Sequence, residues 1–400
     1  MPVPMQRPDR YKVGVAIQTS ITDTTPLATE ELVSPQTCDV SSVYQAEVED
    51  EAHTEDGQAR PSIAGTWHDN AQPSVTIAVE GSRSTIGTAA PTETAFCRLV
   101  AGAMQSAPTL RAGNATASLA LGVLTLDDDA KDPGDGNVTI VHATDDDGAI
   151  HATPVVGTSV SAAFDVLMDP GGTYAMAPPV LPDIDFPWTG AWTDLPVALR
   201  VTAYAAQAHK GRRVYGCVAG MAIGAVGPNE IPYVEFPLRA STGEREIAPI
   251  ADAAPYWAPR VFRCSELRLA AYGESDAPRI AGRIEWSIPG YTPIQNPNTC
   301  GVDSWIREDG AGEVTLTLPL GTIPTDVGGL SDTWEQAWRE QELYHLLVSY
   351  GQRARGGILS VYWDELVLRR PDDTEIDDVM GRTLHFRPAA GSRGPHISLA

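Results

Sequence analysis

The sequence predicts a mainly β protein with two related β-sandwich or barrel-like domains, each with one packed α-helix, and long loops rich in proline and glycine. Short runs of valine, isoleucine and threonine that alternate with polar residues recur along the chain, as is typical of strands. The 36 glycines and 32 prolines among 400 residues supply many turns. A similar order of strands and one helix occurs twice, which indicates two related domains.

The clearest strand pair lies in the middle of the chain, over residues 213–241. Five residues of its first arm share one face: Tyr215, Cys217, Ala219, Met221 and Ile223. Gly216, Gly220 and Gly224 lie on the other face, and each costs about 0.5–1 kcal/mol relative to alanine, so we expect another sheet to approach that backbone. Residues 227–230, Gly-Pro-Asn-Glu, form the turn. Three apolar residues then alternate along the return arm: Val234, Phe236 and Leu238.

The order of predicted elements in the first half returns in the second half. Two segments of the first half have similar segments later: residues 60–67 and 73–82 are echoed by residues 278–286 and 312–322. A helix follows each set, over residues 92–103 and over residues 331–350. Because the order is the same, the sequence predicts an internal duplication, with chance similarity between short β runs as the alternative.

The two helices are predicted from their caps and apolar stripes. Thr92 is placed to cap the first helix, and Ser331 can cap the second, which Gly351 can close. Four residues form the first stripe: Phe96, Leu99, Val100 and Ala103. Seven form the second: Trp334, Ala337, Trp338, Leu343, Leu346, Leu347 and Tyr350.

Other segments extend this pattern. Further strands are predicted at residues 11–19, 119–126, 199–206, 356–368 and 382–387. Residues 137–156 read as a hairpin with an Asp-Asp-Asp-Gly turn at 145–148. A long segment at 165–196 contains Trp188 and Trp192, which could stack on a sugar or, as the favoured interpretation, pack inside the protein or anchor a subunit contact.

The charge and composition of the chain argue against several classes of function. The formal net charge of −24 argues against a protein that grips nucleic-acid phosphates. The five cysteines have no short spacings, which favours reduced, buried thiols over a disulfide framework or a metal site. The sequence contains no secretory signal pattern and no apolar run long enough to span a membrane, so we expect synthesis and folding in a cytoplasm.

Two places in the sequence contain candidate metal ligands. If the 137–156 hairpin closes symmetrically, His142 and His151 face each other and could hold a divalent metal with Asp145, although two exposed polar residues are the favoured interpretation. The acidic loop at 127–137 lacks the twelfth-position glutamate of a calcium loop. We therefore predict no metal site.

The sequence contains no GxSxG, HExxH, P-loop or dinucleotide-binding motif. The carboxylate pairs Asp364–Glu365 and Glu340–Glu342 could flank a glycosidic bond, but nothing in the sequence places either pair at the required separation. We predict no catalytic residues, no cofactor-binding residues and no enzymatic activity.

The 213–241 hairpin resembles the glycine-rich hairpin of the major tail tube proteins of long-tailed, siphovirus-like bacteriophages. The resemblance extends to an opening Lys12-Val13-Gly14 strand, a short helix around 96–99 and a tryptophan-rich helix at 334–338. It implies the duplicated-domain type of tail tube protein, in which three copies form a pseudo-sixfold ring. A ring of six copies is the alternative.

The resemblance further implies two tail-tube-like domains, at residues 1–245 and 246–400, with an insertion around 165–196; whether their segments interleave is left open. The expected function is a structural virion protein whose rings stack into a hollow tail tube, through which genomic DNA passes without specific binding. Other tail proteins are expected partners, and residues 1–10 and 388–400 are candidate arms between rings. The location would be the virion tail, and the host cytoplasm during assembly.

Two alternatives remain open at this point. One is a β-rich carbohydrate-binding or carbohydrate-active protein. The other is a different tail component, such as a distal-tail or baseplate protein. Hollow tubes or threefold rings of the purified protein would favour the tail tube, and glycan-binding monomers the first alternative.

Overall fold

The computed structural model describes part of the chain, and all structural statements below concern these residues. They are 12–18, 30–33, 37–40, 74–79, 92, 94–111, 117–120, 123–126, 138–144, 148, 150–156, 159–160, 181, 183–186, 198–204, 211–226, 233–247, 265–271, 280, 282–295, 302–307, 312–319, 331–351, 358–376, 379–390, 392 and 394–400.

The described residues form strands and two helices, which confirms the predicted mainly β class. The helices are α1 Ala95–Met104 and α2 Ser331–Glu340. The strands are β1 Lys12–Gln18, β2 Glu31–Val33, β3 Thr37–Val40, β4 Ser74–Val79, β5 Thr109–Arg111, β6 Ala117–Ala120, β7 Val123–Leu126, β8 Val138–Thr144, β9 Ile150–Val156, β10 Ser159–Val160, β11 Asp183–Phe186, β12 Ala198–Tyr204, β13 Gly211–Ala219, β14 Met221–Val226, β15 Val234–Arg239, β16 Thr242–Ile247, β17 Ser265–Ala271, β18 Arg283–Ile288, β19 Tyr291–Gln295, β20 Val302–Arg307, β21 Glu313–Pro319, β22 Leu343–Tyr350, β23 Leu359–Ile376, β24 Val379–Pro388 and β25 His396–Leu399.

One line of antiparallel pairings organises the large sheet. It runs in the order β3, β4, β15, β14, β18, β21, β24, β23, β22 and β17. Strand β13 leads into β14 and also pairs with β12 and β16, and β12 pairs with β1. Strand β25 lies between β23 and β11. Strands β6 to β10 form a separate five-stranded sheet, and β19 pairs with β20.

The first helix begins at a different cap from the one predicted. The side chain of Thr94, not of Thr92, accepts a hydrogen bond of 3.2 Å from the Cys97 backbone amide. All ten helical residues are buried, and the Arg98 guanidinium donates to the Val15 carbonyl at 2.9 Å. The helix ends at Gln105, whose φ of 54° is left-handed. The predicted apolar stripe therefore lies in the core, but the helix starts after Thr94.

The second helix is shorter than predicted. It ends at Glu340, Gln341 adopts a left-handed φ of 53°, and residues 343–350 form β22 instead of further helix. Strand β22 is paired on both edges, with β17 and β23, and its residues 344–348 are buried on both faces, which fits its almost continuously apolar sequence. A short apolar run of this kind fits a buried strand and a buried helix equally well, which is why periodicity alone gave the wrong element.

The central hairpin is confirmed on both sides of its turn. The register between the first arm and β15 is uninterrupted and centred between Pro228 and Asn229. The turn itself lies outside the described residues. Val234, Phe236 and Leu238 are buried, as predicted.

Two glycines of the first arm, Gly216 and Gly220, have a structural role. Gly216 has a φ of +60° where the β12–β13 register shifts, so the chain forms a bulge there and the predicted unbroken alternation from Tyr215 onward is interrupted. A Cβ on Gly220 would lie 3.0 Å from the Gly290 amide nitrogen, whereas a Cβ on Gly224 would meet nothing within 4 Å. The expected close approach of another backbone is therefore confirmed at Gly220 and absent at Gly224.

This contrast gives a matched pair of variants. We expect Gly220→Ala to lower the free energy of unfolding by about 1–3 kcal/mol, because rigid backbone at Gly290 and Ile288 must shift to admit the methyl group. Gly224→Ala should leave it unchanged or raise it slightly. Denaturant midpoints of both variants measure the difference, and equal midpoints would contradict the packing described here.

A single apolar cluster joins both helices and the large sheet. The Trp286 and Trp363 rings meet edge to face with centroids 5.6 Å apart, and the Phe96 ring of α1 meets Phe236 of β15 at 5.7 Å. Two free thiols, Cys97 and Cys217, are buried in this core, as predicted, and burial raises the pKa of the Cys217 thiol. The side chains of the other three cysteines lie outside the described set.

The C-terminal residues are part of the fold and not an extended arm. Strand β25 pairs with β23 on one side and β11 on the other, and its four residues are buried. Ala400 and Ile358 exchange two backbone hydrogen bonds, of 2.8 and 3.0 Å. The predicted role of this segment as an arm between rings is therefore wrong for residues 396–400, while residues 1–10 lie outside the described part of the chain.

Candidate functional site

A row of polar side chains crosses the sheet beside the C-terminus. Asp185 pairs with Ser398, Ser398 with Ser360, and Ser360 with Ser349, on four successive strands. Directly paired residues of antiparallel strands share a face, so these side chains form one line. The alternate residues of the same strands, including Phe186 and Leu399, point into the apolar core. The sheet thus has one apolar face and one polar face at this place.

Strand β8 of the five-stranded sheet covers the polar face. The Thr139 hydroxyl donates to Asp185, and the Ser360 hydroxyl lies 3.0 Å from Nε2 of His142. The His142 carbonyl also accepts a 2.8 Å hydrogen bond from the Leu181 amide. Together with Asp183 on β11, the side chains of Thr139, His142, Asp185 and Ser360 form what we name the polar cluster.

The Asp185 carboxylate is a buried acidic group whose pKa is raised. Burial and the nearby Asp183 carboxylate raise the pKa of Asp185 from 3.8 to about 6, against the opposing effects of Arg111, Thr139 and Ser398. Arg111 on β5 forms an ion pair with Asp185. The negative charge of Asp185 is therefore held at the junction of the five-stranded sheet with the large sheet, at an energetic cost.

The polar cluster contains a hydroxyl, an imidazole and a carboxylate in sequence. Nε2 of His142 lies 3.0 Å from the Ser360 hydroxyl, and its Nδ1 lies 3.6 Å from Oδ2 of Asp183, which is longer than a hydrogen bond. Serine hydrolases use the same three groups, but with a nucleophile that a substrate can reach. Ser360, His142 and Asp183 are each 0% exposed. This geometry is suited to holding two sheets together, and not to catalysis.

Both expectations for His142 and His151 are wrong: the symmetric register is not formed, and the two residues are 0% and 2% exposed instead of exposed. His142 pairs with Ala152 and His151 with Ala143, one residue away from the symmetric closure assumed from the sequence. Because successive strand residues point to opposite faces, the two imidazoles cannot share a metal ion. Asp145 lies outside the described residues, among which no group of three or more His, Cys, Asp or Glu side chains is placed to hold a metal.

The two carboxylate pairs do not form a cleft. Asp364 and Glu365 lie at the bulge of β23, where Asp364 is 6% exposed and accepts a 2.8 Å hydrogen bond from the Ser392 hydroxyl. Glu340 and Glu342 are exposed at the end of α2. The acidic loop at 127–137, Trp188 and Trp192 fall outside the described residues.

Sequence reasoning missed the polar cluster. The signal available was the Asp-Ile-Asp-Phe run at 183–186, in which two carboxylates alternate with two core residues on a four-residue strand. Such a strand has one face in an apolar core and must pair its carboxylates on the other. The partners come from three other strands, β5, β8 and β25, which no local pattern connects.

Several strands are paired on one edge only within the described part of the chain, and two of the open stretches belong to β3 and β23. Strand β3 pairs with β4 along one edge only. Strand β23 is 18 residues long, and β22 covers one of its edges only as far as Val367, leaving residues 368–376 of that edge open. Free backbone amides and carbonyls of this kind can pair with another chain.

The open stretch of β23 carries charges that limit indiscriminate pairing. Arg370 forms an ion pair of 2.9 Å with Asp372, and Arg382 of β24 one of 2.7 Å with Asp373. Charged residues and a proline, here Pro371, are common on strand edges that must avoid random aggregation. A selective partner would have to fit around them.

Comparison with models of known protein families gives no match for this sequence, and comparison with curated proteins gives none either. Among the described helices, neither is long and apolar enough to cross a membrane.

Proposed function

We propose that this chain is a structural virion protein, a duplicated-domain tail tube subunit whose copies form stacked rings around a hollow channel for DNA. The proposal rests on the resemblance of the central hairpin, the opening strand and the tryptophan-rich helix to phage tail tube proteins. The observation that carries it furthest is a correspondence between the strand pairings of the two halves.

Six pairings of the first half have counterparts in the second. The first-half pairings are β1 with β12, β12 with β13, β13 with β16, β14 with β15, β15 with β4, and β4 with β3. In the same order, the second-half pairings are β17 with β22, β22 with β23, β23 with β25, β23 with β24, β24 with β21, and β21 with β18. The single long strand β23 takes the place of β13 and β14 together.

The helices match in position and in how they end. Helix α1 lies between β4 and β12, α2 lies between the counterparts β21 and β22, and each has ten residues. Gln105 and Gln341 follow them with φ of 54° and 53°. The Ser106 amide donates to the Ala101 carbonyl, and the Glu342 amide donates to the Ala337 carbonyl. A left-handed ending is common in helices, so the matching position between counterpart strands carries the weight, and the two together support duplication.

A bulge recurs at the same place in both halves. The β12–β13 register shifts between Leu199 and Val201, and the β22–β23 register shifts between Tyr344 and Leu346. Bulges bend strands and fix their register. A shared bulge between counterpart strands therefore supports a common origin of the two sheets.

The halves differ in one connection. In the second half only residues 341 and 342 separate α2 from β22, whereas in the first half β5 to β11 lie between α1 and β12. We propose that these strands are an insertion that decorates one domain and that begins well before the predicted 165–196 segment. The polar cluster is then the junction that fixes the insertion to the second domain, and the domain division falls between β16 and β17.

The charge of the chain suits a DNA conduit. A net charge of −24 per copy gives a wall that repels phosphate, so DNA can pass without being retained. Sheets that continue from copy to copy would leave few open edges in such a wall.

Negative-stain electron microscopy of the purified chain tests this proposal. We expect hollow tubes or rings with threefold symmetry and six similar lobes, because each copy supplies two related domains. Analytical ultracentrifugation over a wide concentration range provides the second measurement. Monomers at every concentration would contradict the proposal, and monomers that also bind glycans would favour the carbohydrate-binding alternative.

A further inference from the structure

The pairing of β14 with β18 connects the two halves. Among the described strands that have counterparts, it is the one pairing that joins the first half to the second. Its register sets Ile223 opposite Trp286 and Val226 opposite Ile284. If each strand is replaced by its counterpart in the other half, β14 becomes residues 368–376 of β23, and β18 becomes β3. The counterpart of this junction would therefore be a pairing of β23 with β3.

Both strands of that missing counterpart are present, and the edges it needs are open within the described part of the chain. Residues 368–376 of β23 are unpaired on the edge that corresponds to the β18 side of β14, since β24 occupies the other edge as β15 does for β14. Strand β3 is unpaired on the edge away from β4, which corresponds to the β14 side of β18. If a half-turn related the two halves, these edges would meet inside one chain. Among the described residues they do not pair, which leaves both edges open to a second molecule.

We propose that residues 372–376 of one copy pair antiparallel with β3 of a second copy, repeating between molecules the junction that β14 and β18 make within one. This inference rests on the proposed ring assembly and names the strands that close it. The contact is heterologous, since each copy offers β23 to one neighbour and β3 to the other. Heterologous contacts form a ring when the rotation between neighbouring copies closes after a whole number of copies, and an open filament when it does not.

The internal junction also predicts the register of the contact. Val75 of β4 corresponds to Val314 of β21, which places Val40 where Trp286 stands and Cys38 where Ile284 stands. Through β15 and β24, Ile223 corresponds to Asp373 and Val226 to Ile376. Asp373 is therefore expected opposite Val40 of the next copy, and Ile376 opposite its Cys38.

The natural cysteine of β3 allows a direct test in the full chain. Ile376→Cys is assembled, oxidised mildly and run on a non-reducing gel. We expect disulfide-linked species of two and three chains that a reductant releases, because directly opposed strand positions come within disulfide reach. The link should disappear when Cys38→Ser is added. Glu375→Cys is the matched control, since the neighbouring position points to the other face of the strand.

A second pair guards against a folding defect of the first variant. Asp373→Cys combined with Val40→Cys should give the same linked species. Tubes or rings that form while neither pair links, or while Glu375→Cys links equally well, would overturn this strand pairing and leave the proposed function standing. A chain that never assembles would overturn both.

Discussion

Trp286→Ala should lower the free energy of unfolding by about 3–5 kcal/mol, the largest effect we expect from any single substitution. The Trp286 side chain is 1% exposed and lies edge to face on Trp363. Its indole nitrogen donates a 2.9 Å hydrogen bond to the Tyr350 hydroxyl, which would lose its partner in the core. Because β18 joins the two halves, the cavity would open at their junction.

Trp338→Ala is the matched control for this prediction. Trp338 lies on α2 and is 38% exposed, so its truncation should cost much less than that of Trp286. Chemical denaturation followed by tryptophan fluorescence and circular dichroism measures both variants. Similar midpoints for the two variants would contradict the central place given to Trp286.

Asp185→Asn should remove a pH dependence of stability between about pH 4 and pH 6. The pKa of Asp185 is raised from 3.8 to about 6 in the folded protein, so the folded state binds this proton more tightly than the unfolded state. Its stabilising contribution is therefore complete below pH 3.8 and is lost as the pH rises through 6. A shift of this size corresponds to at most roughly 3 kcal/mol.

The measurement is the difference in unfolding free energy between the parent chain and the variant at several pH values. We expect the parent to lose stability relative to Asp185→Asn as the pH rises from 4 to 7. The asparagine cannot keep the charge attraction of Arg111, so the sign of the difference at one pH is less informative than its slope. Asp372→Asn, a half-exposed carboxylate, is the control, and a flat difference for Asp185→Asn would contradict the buried position of this group.

The pattern of the central hairpin was sufficient to predict its strands. Val234, Phe236 and Leu238 alternate with polar residues, and a single buried face forces that alternation on the sequence. The close approach at Gly220 was also predictable, since glycine in a strand interior is unfavourable unless a neighbour needs the space.

Residues 343–350 show that a local sequence pattern can predict the wrong element. Their spacing fits an apolar helical stripe, and only the placement between β17 and β23 makes them a strand. Register was equally undetermined by sequence, because a shift of one residue in the 138–156 hairpin moves His142 and His151 to opposite faces.

By itself the sequence determined the mainly β class, the places of the two helices but not their ends, and the buried arms of the central hairpin, because periodicity and turn composition act over a few residues. Tertiary structure alone decided which strands pair, where the polar cluster forms and which edges stay open. Asp183, His142 and Ser360 come together from three distant strands, and their contact depends on register and burial across the whole sheet. Long-range pairing of this kind leaves no mark in any local segment of the chain.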